Sequence, residues 1–347
     1  MSYTSPMPAR IAINGFGRIG RASFKIALEN PDSEIVAINV LTDGQVLAHL
    51  LKYDTAYGVY PRTVTTDAVD SKLYLSVDRK KTLVLSEKDP ARLPWKDLDV
   101  DVVLECTGRF TKDGAAKAHL DAGAKKVIIS APVDGAGDVP TFLKGVNHAN
   151  YLGQNIISNA SCTTNCISPV VAVIHAKFGI LKSVMNTVHG ITAEQNLVDG
   201  PPPGLHNDLR RARAAGYNLI PTTTGAAKAT ASVVSNLKDK FDGTAIRVPV
   251  LVGSISDVIM LVAKKVTAAE VNQAFVEAAA EPFYKGVLDV TSEPLVSSDI
   301  IGNSHSSIVD LSMTKVVDGD LVKVMAWYDN EWEYSSRLVE MAILISS

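Results

Sequence analysis

Two cysteines lie close together in the polar stretch SNASCTTNC, residues 158–166, between two apolar segments. Cys162 and Cys166 could be metal ligands, a redox pair, a nucleophile with a neighbour, or buried side chains. A structural zinc site usually needs two spaced pairs of ligands, and the sequence has no second pair. A redox motif has two residues between its cysteines, whereas this pair has three. Metal and redox chemistry are therefore disfavoured, Cys106 and Cys166 are interpreted as buried, and a nucleophilic role stays open for Cys162.

The residues after Cys162 predict a helix that begins at or just after the cysteine, with Pro169 as a local irregularity. N–H groups at a helix N-terminus lower the pKa of a thiol and can hold an oxyanion. A thiolate also needs a base or a cation nearby, and His189 ends the strand-like SVMNTV segment. A half-buried structural histidine gives the same pattern, so only the fold can pair His189 with Cys162. The other histidines are interpreted as ordinary structural residues: His49, His119 and His175 lie on helical segments, and His148, His206 and His305 lie in loops.

Side chains that could bind anions are concentrated in the second half of the chain. LRRARAA (209–215) has three arginines, and TTTGAAK (222–228) is a hydroxyl-rich turn with a glycine. Arg247 stands inside the apolar strand IRVPV, where a charge needs a partner. An arginine is ordinarily a solvated or ion-paired surface residue, and Arg247 fits that alternative least.

The first half of the chain has the pattern of a dinucleotide-binding βαβ unit. The strand ARIAIN (9–14) leads into G-x-G-x-x-G, which precedes a helix and the strand EIVAINV (34–40). Such glycines let the backbone approach a pyrophosphate, and the helix N-terminus supplies partial positive charge. Further strands at 99–108, 125–132 and 155–158, with a helix at 112–124, extend a doubly wound sheet.

The second half predicts a different sheet. Strand-like segments with few helices between them lie at 182–192, 244–252, 254–264, 306–317 and 320–329. One helix opens at Thr267 with a capping box to Glu270, and an amphipathic helix covers 335–347. The fold class is therefore α/β: a Rossmann-type doubly wound dinucleotide-binding domain plus an α+β catalytic domain with a mixed, largely antiparallel sheet. The predicted domains are 1–161, completed by 330–347, and 162–329.

Composition limits the cellular compartment and the classes of binding partner that fit the chain. The chain has 347 residues, enough for two domains, and its net charge of -3 gives no reason to expect nucleic acid or an anionic membrane as a partner. The start has no signal-peptide core, and no apolar run approaches the ~20 residues of a membrane span. Three cysteines make a poor disulfide framework. We expect a cytoplasmic protein.

INGFGRIGR, SNASCTTNC, DLRRARAA, PTTTGAAKA, IRVPV and WYDNEW occur in the order typical of one family. Over essentially its whole length the chain resembles the phosphorylating glyceraldehyde-3-phosphate dehydrogenases. The resemblance implies a homotetramer that oxidises glyceraldehyde 3-phosphate to 1,3-bisphosphoglycerate with NAD(P) and inorganic phosphate, in glycolysis or gluconeogenesis.

The same resemblance implies roles for individual residues. Cys162 would form the thiohemiacetal and then the thioester, and His189 would accept the hydroxyl proton as hydride leaves. Thr192 and Arg247 resemble the substrate-phosphate site. The inorganic-phosphate and shared anion residues would be Ser161, Thr163, Arg210, Thr224 and Gly225. The cofactor contacts would be Gly15, Gly17, Arg18, Ile19, Gly20, Lys88, Thr107, Ser130 and Asn330.

The sequence departs from the family pattern at three places. Val40 stands where NAD-specific members usually have an Asp that binds the ribose 2′-OH, so NADP as well as NAD is expected as cofactor. Asp43 is a possible substitute for that carboxylate. The loop with PPPG (201–204) is longer than usual and has Ile191 in place of an aromatic residue. Glu333 replaces a usual glycine.

Three other functions compete with this interpretation. An erythrose-4-phosphate dehydrogenase would share the cysteine and the dinucleotide domain, although TTTGAAKA favours the triose enzyme. A hydrolase or acyltransferase would use Cys162 and His189 alone, and the glycine turn speaks against it. A catalytically silent nucleotide-binding regulatory protein would not need the full set of catalytic residues.

Overall fold

The computed structural model describes residues 7–112, 114–133, 139–201, 208–234 and 236–346. Most of the PPPG segment and His206 therefore lie outside the described residues. The chain divides into two compact units. One comprises Met1–Phe142, Asn150–Ala160 and Ser335–Ser347, and the other comprises Leu143–Ala149 and Ser161–Tyr334. That the predicted domains, 1–161 with 330–347 and 162–329, are separate functional units stays a prediction.

The first unit is built on a sheet of eight strands in the order β10-β9-β8-β1-β2-β7-β6-β5. The six strands from β10 to β7 run parallel, and β6 and β5 continue the sheet antiparallel. The strands are β1 Ala9–Asn14, β2 Ser33–Asn39, β3 Tyr53–Asp54, β4 Gly58–Val59, β5 Val64–Val69, β6 Lys72–Val77, β7 Lys80–Leu85, β8 Val102–Glu105, β9 Lys126–Ile129 and β10 Ile156–Ser158. The helices grouped with this unit are α1 Arg18–Glu29, α2 Gly44–Lys52, α3 Lys117–Asp121 and most of α7 Trp332–Ser346.

The parallel part of this sheet has a switch point between β1 and β8. From β1 the chain proceeds to β2 on one side, and later returns to β8 on the other side. The central strands are mostly apolar because both faces are covered, as in β8, where all four residues are buried. Asn14 and Glu105 end the two strands at the switch point, which is where open α/β sheets bind ligands.

The second unit is built on a sheet with the order β12-β13-β11-β14-β18-β16-β15, and β17 pairs with β18. Pairings are antiparallel except β11 with β13 and β15 with β16. The strands are β11 Ile180–His189, β12 Ile220–Thr223, β13 Phe241–Arg247, β14 Ser254–Val262, β15 Leu288–Thr291, β16 Ser307–Asp310, β17 Lys315–Val317 and β18 Leu321–Tyr328. The helices are α4 Cys162–Phe178, α5 Ala226–Val233 and α6 Ala268–Ala280.

Alternation in the sequence explains how this sheet is covered. In β14 every second residue is buried and the others are half-buried, so one face of the sheet meets the core. Helices α4, α5 and α6 contribute Val170, Ala227 and Phe275 to that core. The α6 prediction is confirmed, since Thr267 and Glu270 form the capping box.

The fold class is confirmed, whereas several element limits differ from the sequence-based expectation. The helix expected over 112–124 is only Lys117–Asp121, and the strand expected over 306–317 is broken where the Asp310 carboxylate accepts from the Ser312 N–H. The strand expected over 244–252 ends at Arg247, because Pro249 has no N–H to continue a ladder. Strands β5, β6 and β7 were not predicted. Among the described residues, no helix is long and apolar enough to cross a membrane.

Candidate active site

Cys162 is the first residue of α4, and Ser161 caps that helix. The Ser161 Oγ accepts a hydrogen bond from the Thr164 N–H at 3.1 Å and lies 2.8 Å from Thr164 Oγ1. The cap holds Cys162 in the first turn, where N–H groups have no partner within the helix. The predicted helix is confirmed, and it continues through Pro169.

His189 ends strand β11 and faces the cysteine. Its Nε2 lies 3.4 Å from Cys162 Sγ, and its Nδ1 lies 2.7 Å from the Gly190 carbonyl oxygen. Arg247 Nη1 lies 3.0 Å from Nδ1 and 3.2 Å from the same carbonyl, so two donors converge on one acceptor. The short distance to the carbonyl assigns the ring hydrogen to Nδ1. Nε2 therefore presents its lone pair to the sulfur and can take the thiol proton.

Burial sets the protonation states of this pair. Burial raises the pKa of the Cys162 thiol to about 12, and the negative charge of Glu333 adds to the effect. The Arg247 charge and hydrogen bonds from Thr163 act in the opposite direction without offsetting it. Burial, with help from Arg247, lowers the pKa of His189 to about 3. The pKa of the thiol is therefore raised, and not lowered as the helix N-terminus predicts, because burial favours the neutral forms of both the thiol and the imidazole.

Tyr328, at the end of β18, packs against His189 and links Thr163 to Thr187. Its hydroxyl lies 2.9 Å from Thr163 Oγ1 and 2.8 Å from Thr187 Oγ1, and all three side chains are buried. Its ring packs edge-on against the His189 imidazole, with 6.0 Å between centroids. The hydroxyl of the predicted anion residue Thr163 is thus in contact with Tyr328. Sequence reasoning missed Tyr328, although it lies in the WYDNEW motif.

Strand pairing places Arg247 beside His189, because the two residues are partners in the parallel register of β11 and β13. Arg247 Nη1 donates to Thr192 Oγ1 at 3.3 Å, which joins the two predicted substrate-phosphate residues. The Arg247 side chain is 12% exposed, and burial lowers the pKa of its guanidinium. Cys162, His189, Arg247 and Thr192 therefore form one contiguous chain of contacts.

The structure brings Arg211 to this site and leaves the predicted Arg210 outside it. The Arg210 side chain is 57% exposed and forms a two-pronged ion pair with Asp208. The Arg211 side chain is 6% exposed and donates to Glu194, the same carboxylate that Arg247 contacts. The two arginines are adjacent in sequence and of the same type, so only their burial distinguishes them.

The hydroxyl-rich turn begins where Arg211 contacts strand β12. Arg211 Nε donates to Thr222 Oγ1 at 3.0 Å and Nη2 to the Thr223 carbonyl at 3.4 Å. The predicted residues Thr224 and Gly225 follow directly, at the start of α5, where Thr224 Oγ1 accepts from the Ala226 N–H. The turn thus places hydroxyl groups and helix N–H groups next to a buried arginine, which is a suitable arrangement for an anion.

In the first unit, the glycine turn connects β1 to α1. Gly15 has φ +95°, and a Cβ there would lie 2.8 Å from the Cys106 carbonyl carbon. A Cβ at Gly20 would lie 2.1 Å from the Gly15 oxygen. A Cβ at Gly17, which caps α1, would meet no atom within 4 Å, and its φ of -73° suits any residue. The fold therefore explains Gly15 and Gly20, whereas Gly17 fits a role in leaving room for a ligand at the helix N-terminus.

The other predicted cofactor residues have different surroundings. Arg18 forms an ion pair with Asp54, and Ile19 lies in the first turn of α1. The Thr107 hydroxyl donates to the buried carboxylate of Glu105. Three positions complete the set: the half-exposed Ser130 follows β9, the exposed Lys88 follows β7, and the buried Asn330 belongs to the second unit, where its Oδ1 accepts from the Ser254 hydroxyl at 2.8 Å.

Asp43 is the candidate substitute for the Asp that is missing at the end of β2. Val40 follows the strand directly, and its N–H donates to the Leu85 carbonyl of β7. The Asp43 side chain caps α2 by accepting from the Gln45 N–H at 2.8 Å. Because Asp43 is committed to the cap, it does not replace the carboxylate.

Comparison with known proteins agrees with this geometry. Residues 9–113 match the family profile "Glyceraldehyde 3-phosphate dehydrogenase, NAD binding domain", and residues 161–330 match "Glyceraldehyde 3-phosphate dehydrogenase, C-terminal domain". The chain is 49% identical over 340 residues to "Glyceraldehyde-3-phosphate dehydrogenase 1" of Bacillus cereus, which covers 97% of this chain and 98% of the relative. It is 50% identical to "Glyceraldehyde-3-phosphate dehydrogenase" of Mycolicibacterium smegmatis over 346 residues, with 98% and 99% covered, and to that of Geobacillus stearothermophilus over 343 residues, with the same shares.

The chain belongs to the glyceraldehyde-3-phosphate dehydrogenase family.

Within this member of the family, the replacement of a usual glycine by Glu333 adds a negative charge near two cysteines. The residue lies at the start of α7 and is fully buried. Its negative charge raises the pKa of both Cys162 and Cys166. A family glycine would carry no such charge, so Glu333 makes the thiolate harder to form in this member.

Proposed function

We propose that the chain catalyses the phosphorylating oxidation of glyceraldehyde 3-phosphate to 1,3-bisphosphoglycerate, with reduction of NAD or NADP. The observation that carries the proposal is the contiguous set of contacts from Cys162 through His189 to Arg247 and Thr192. It joins a nucleophile and its base to an anion site, and the reaction needs both.

The proposed reaction has three steps: addition of the thiol to the aldehyde, loss of a hydride, and attack of phosphate on the thioester. His189 Nε2 takes the thiol proton, Cys162 Sγ bonds to the aldehyde carbon, and the proton passes to the new hydroxyl to give a thiohemiacetal. NAD or NADP, when bound, would supply the acceptor for the hydride that leaves that carbon. His189 then holds the hydroxyl proton as the thioester forms. A phosphate oxygen attacks the thioester carbon, the C–S bond breaks, and the sulfur regains its proton from His189.

Two guanidiniums serve the two phosphate groups of this reaction. Arg247 with Thr192 would hold the phosphate of the substrate, and Arg211 beside Thr224 and Gly225 would hold inorganic phosphate. This assignment substitutes Arg211 for Arg210, because Arg210 is exposed and bound to Asp208. Ser161 contributes by capping α4, and Thr163 contributes through the contact of its hydroxyl with the Tyr328 hydroxyl.

Cofactor selectivity follows from the end of β2. Because position 40 is a valine, a 2′-phosphate would meet no like charge from that side chain, and the exposed Lys88 lies three residues beyond Leu85, the partner of Val40. We expect kcat/KM for NAD and NADP to differ by less than about a hundredfold. A preference for NAD by several orders of magnitude would contradict this part of the proposal.

The assembly is proposed to be a homotetramer in the cytoplasm, where the catalytic thiol stays reduced. Five apolar side chains in the segment before β12 are 71% to 89% exposed: Leu197, Val198, Leu209, Tyr217 and Leu219. Apolar side chains so exposed in one segment indicate a surface that another chain covers. Light scattering after size-exclusion chromatography should give the mass of four chains, and a monomer would contradict the assembly.

The decisive test is phosphate-dependent reduction of NAD and NADP by glyceraldehyde 3-phosphate. Cys162→Ser should lower kcat by at least about 10⁴-fold, because the serine hydroxyl is a far weaker nucleophile. Cys166→Ser is the matched control and should keep activity within a few-fold, since Cys166 is buried with its Sγ 3.8 Å from the Ala326 carbonyl oxygen. A higher kcat/KM for erythrose 4-phosphate would assign the alternative substrate. Activity that survives in Cys162→Ser would refute the proposed mechanism.

A further inference from the structure

Glu194 occupies the space between the two buried arginines of the anion site. One of its carboxylate oxygens, Oε1, accepts from Arg211 Nη1 and lies 3.3 Å from Arg247 Nη2. The Arg211 and Arg247 side chains are 6% and 12% exposed, whereas the Glu194 side chain is 33% exposed. The guanidiniums are therefore fixed in the protein, and the carboxylate reaches them from the solvent side.

Two like charges meet at this oxygen. Two guanidiniums meet one carboxylate, and the positive charge of Arg211 also acts on Arg247 and on His189. Buried like charges close together require a counter-ion or a polar partner. Glu194 supplies a negative charge between the two guanidiniums, where a phosphate group would also bring negative charge.

Two buried hydrogen-bond donors near the arginines also favour the binding of an anion. Among the described residues, Arg247 Nε and Gln195 Nε2 are shielded from solvent and have no hydrogen-bond partner. Gln195 is itself 8% exposed, and its Oε1 accepts from the Thr192 N–H at 3.1 Å. A buried donor without a partner is unfavourable unless a ligand completes it. These donors adjoin Thr192 and Arg247, where a phosphate group would bring several acceptor oxygens.

We propose that Glu194 is an internal competitor for the phosphate group: its carboxylate holds Arg211 and Arg247 in the anion-free protein and must leave at least one of them when phosphate binds. The inference rests on the anion site of the proposed function. Two fixed guanidiniums favour a doubly charged phosphate over one carboxylate, because phosphate offers more oxygens and more charge. The partly exposed Glu194 side chain has a path into solvent.

Competition of this kind lowers the apparent affinity for phosphate. The observed dissociation constant is the intrinsic one divided by the fraction of molecules in which the carboxylate has moved away. Glu194 therefore sets the concentration of phosphate at which the site fills, and prevents weakly binding anions from occupying it.

The test is isothermal titration of the intact protein with inorganic phosphate, with no substrate or turnover. Glu194→Gln should bind phosphate about three- to tenfold more tightly than the wild type, because the amide cannot compete as an anion. Arg211→Gln identifies the binding heat of this site, since that variant should lose it. Glu281→Gln, an exposed glutamate, is the control for the same change in net charge and should leave the dissociation constant unchanged.

The opposite result has a clear meaning. Unchanged or weaker phosphate binding in Glu194→Gln would overturn the proposal, because Glu194 would then hold the arginines in their binding geometry. If Glu194→Gln does not fold, Glu194→Asp replaces it: the shorter side chain cannot span both arginines and should also bind phosphate more tightly. Because activity is not the readout, tighter binding in a protein that does not oxidise glyceraldehyde 3-phosphate would refute the proposed function and leave this inference intact.

Discussion

The glycine turn of the first unit and the anion site of the second unit are built from different chemical groups. In the proposed function both bind phosphate groups, but the turn would use backbone N–H groups and an open position at Gly17. The anion site uses the charged side chains Arg211 and Arg247, which are buried and need Glu194 as a counter-charge. A backbone site is satisfied by water when empty, whereas a buried charged site needs an internal partner. The comparison predicts that substitutions at the two sites differ in size and in kind.

The largest effect is expected from the adjacent arginines. Arg211→Gln should raise the KM for phosphate by about 10- to 100-fold, the loss of a charge-assisted hydrogen bond to a buried group. Arg210→Gln should change it by less than about twofold, since an exposed ion pair contributes little. Steady-state kinetics at varied phosphate, with thermal unfolding to confirm that both variants fold, makes the measurement. An equal or greater effect of Arg210→Gln would assign phosphate binding to Arg210, the residue that the family resemblance implies.

An intermediate effect is expected at the glycine turn. Gly17→Ala should weaken NAD binding by roughly tenfold without changing the unfolding temperature, because the new methyl group meets only the ligand. Gly20→Ala is the contrasting variant, since its Cβ would lie 2.1 Å from the Gly15 oxygen and should destabilise the unit by about 1–3 kcal/mol. Titration of NAD fluorescence quenching and thermal unfolding separate the two. Normal NAD affinity in Gly17→Ala would show that the turn does not approach the cofactor closely.

The smallest effect is expected at Glu333. Its negative charge raises the pKa of Cys162, so Glu333→Gln should lower that pKa and increase the thiolate fraction at every pH below about 12. The rate of alkylation by iodoacetamide should therefore rise severalfold at pH 8, and its pH profile should move to lower pH. Glu331→Gln, the preceding acidic residue, is the control for a change of charge in the same segment. A profile that does not move, or that moves to higher pH, would show that the Glu333 charge does not reach the thiol.

The site could be predicted in part because some of its features are local. Ser161 and Cys162 are neighbours, and a small polar run before an apolar helix is a sequence pattern of a capped N-terminus. The capping box at Thr267 and the glycine spacing at 15–20 are local for the same reason. By contrast, the direction of the Cys162 pKa shift was wrong, because burial beside Glu333 exceeds the effect of the helix N-terminus.

The sequence by itself determined the kind of fold and the kind of chemistry: a doubly wound sheet with a glycine turn, a second mixed sheet, a cysteine at a helix start, and arginines in the second half. These follow from periodicity and from side chains a few residues apart. Only the tertiary structure paired His189 with Cys162, chose Arg211 over Arg210, and placed Glu194 between two arginines. The contacts of His189 with Cys162 and of Glu194 with the two arginines join residues 17 to 53 positions apart, and they depend on strand register and burial, which no local pattern encodes.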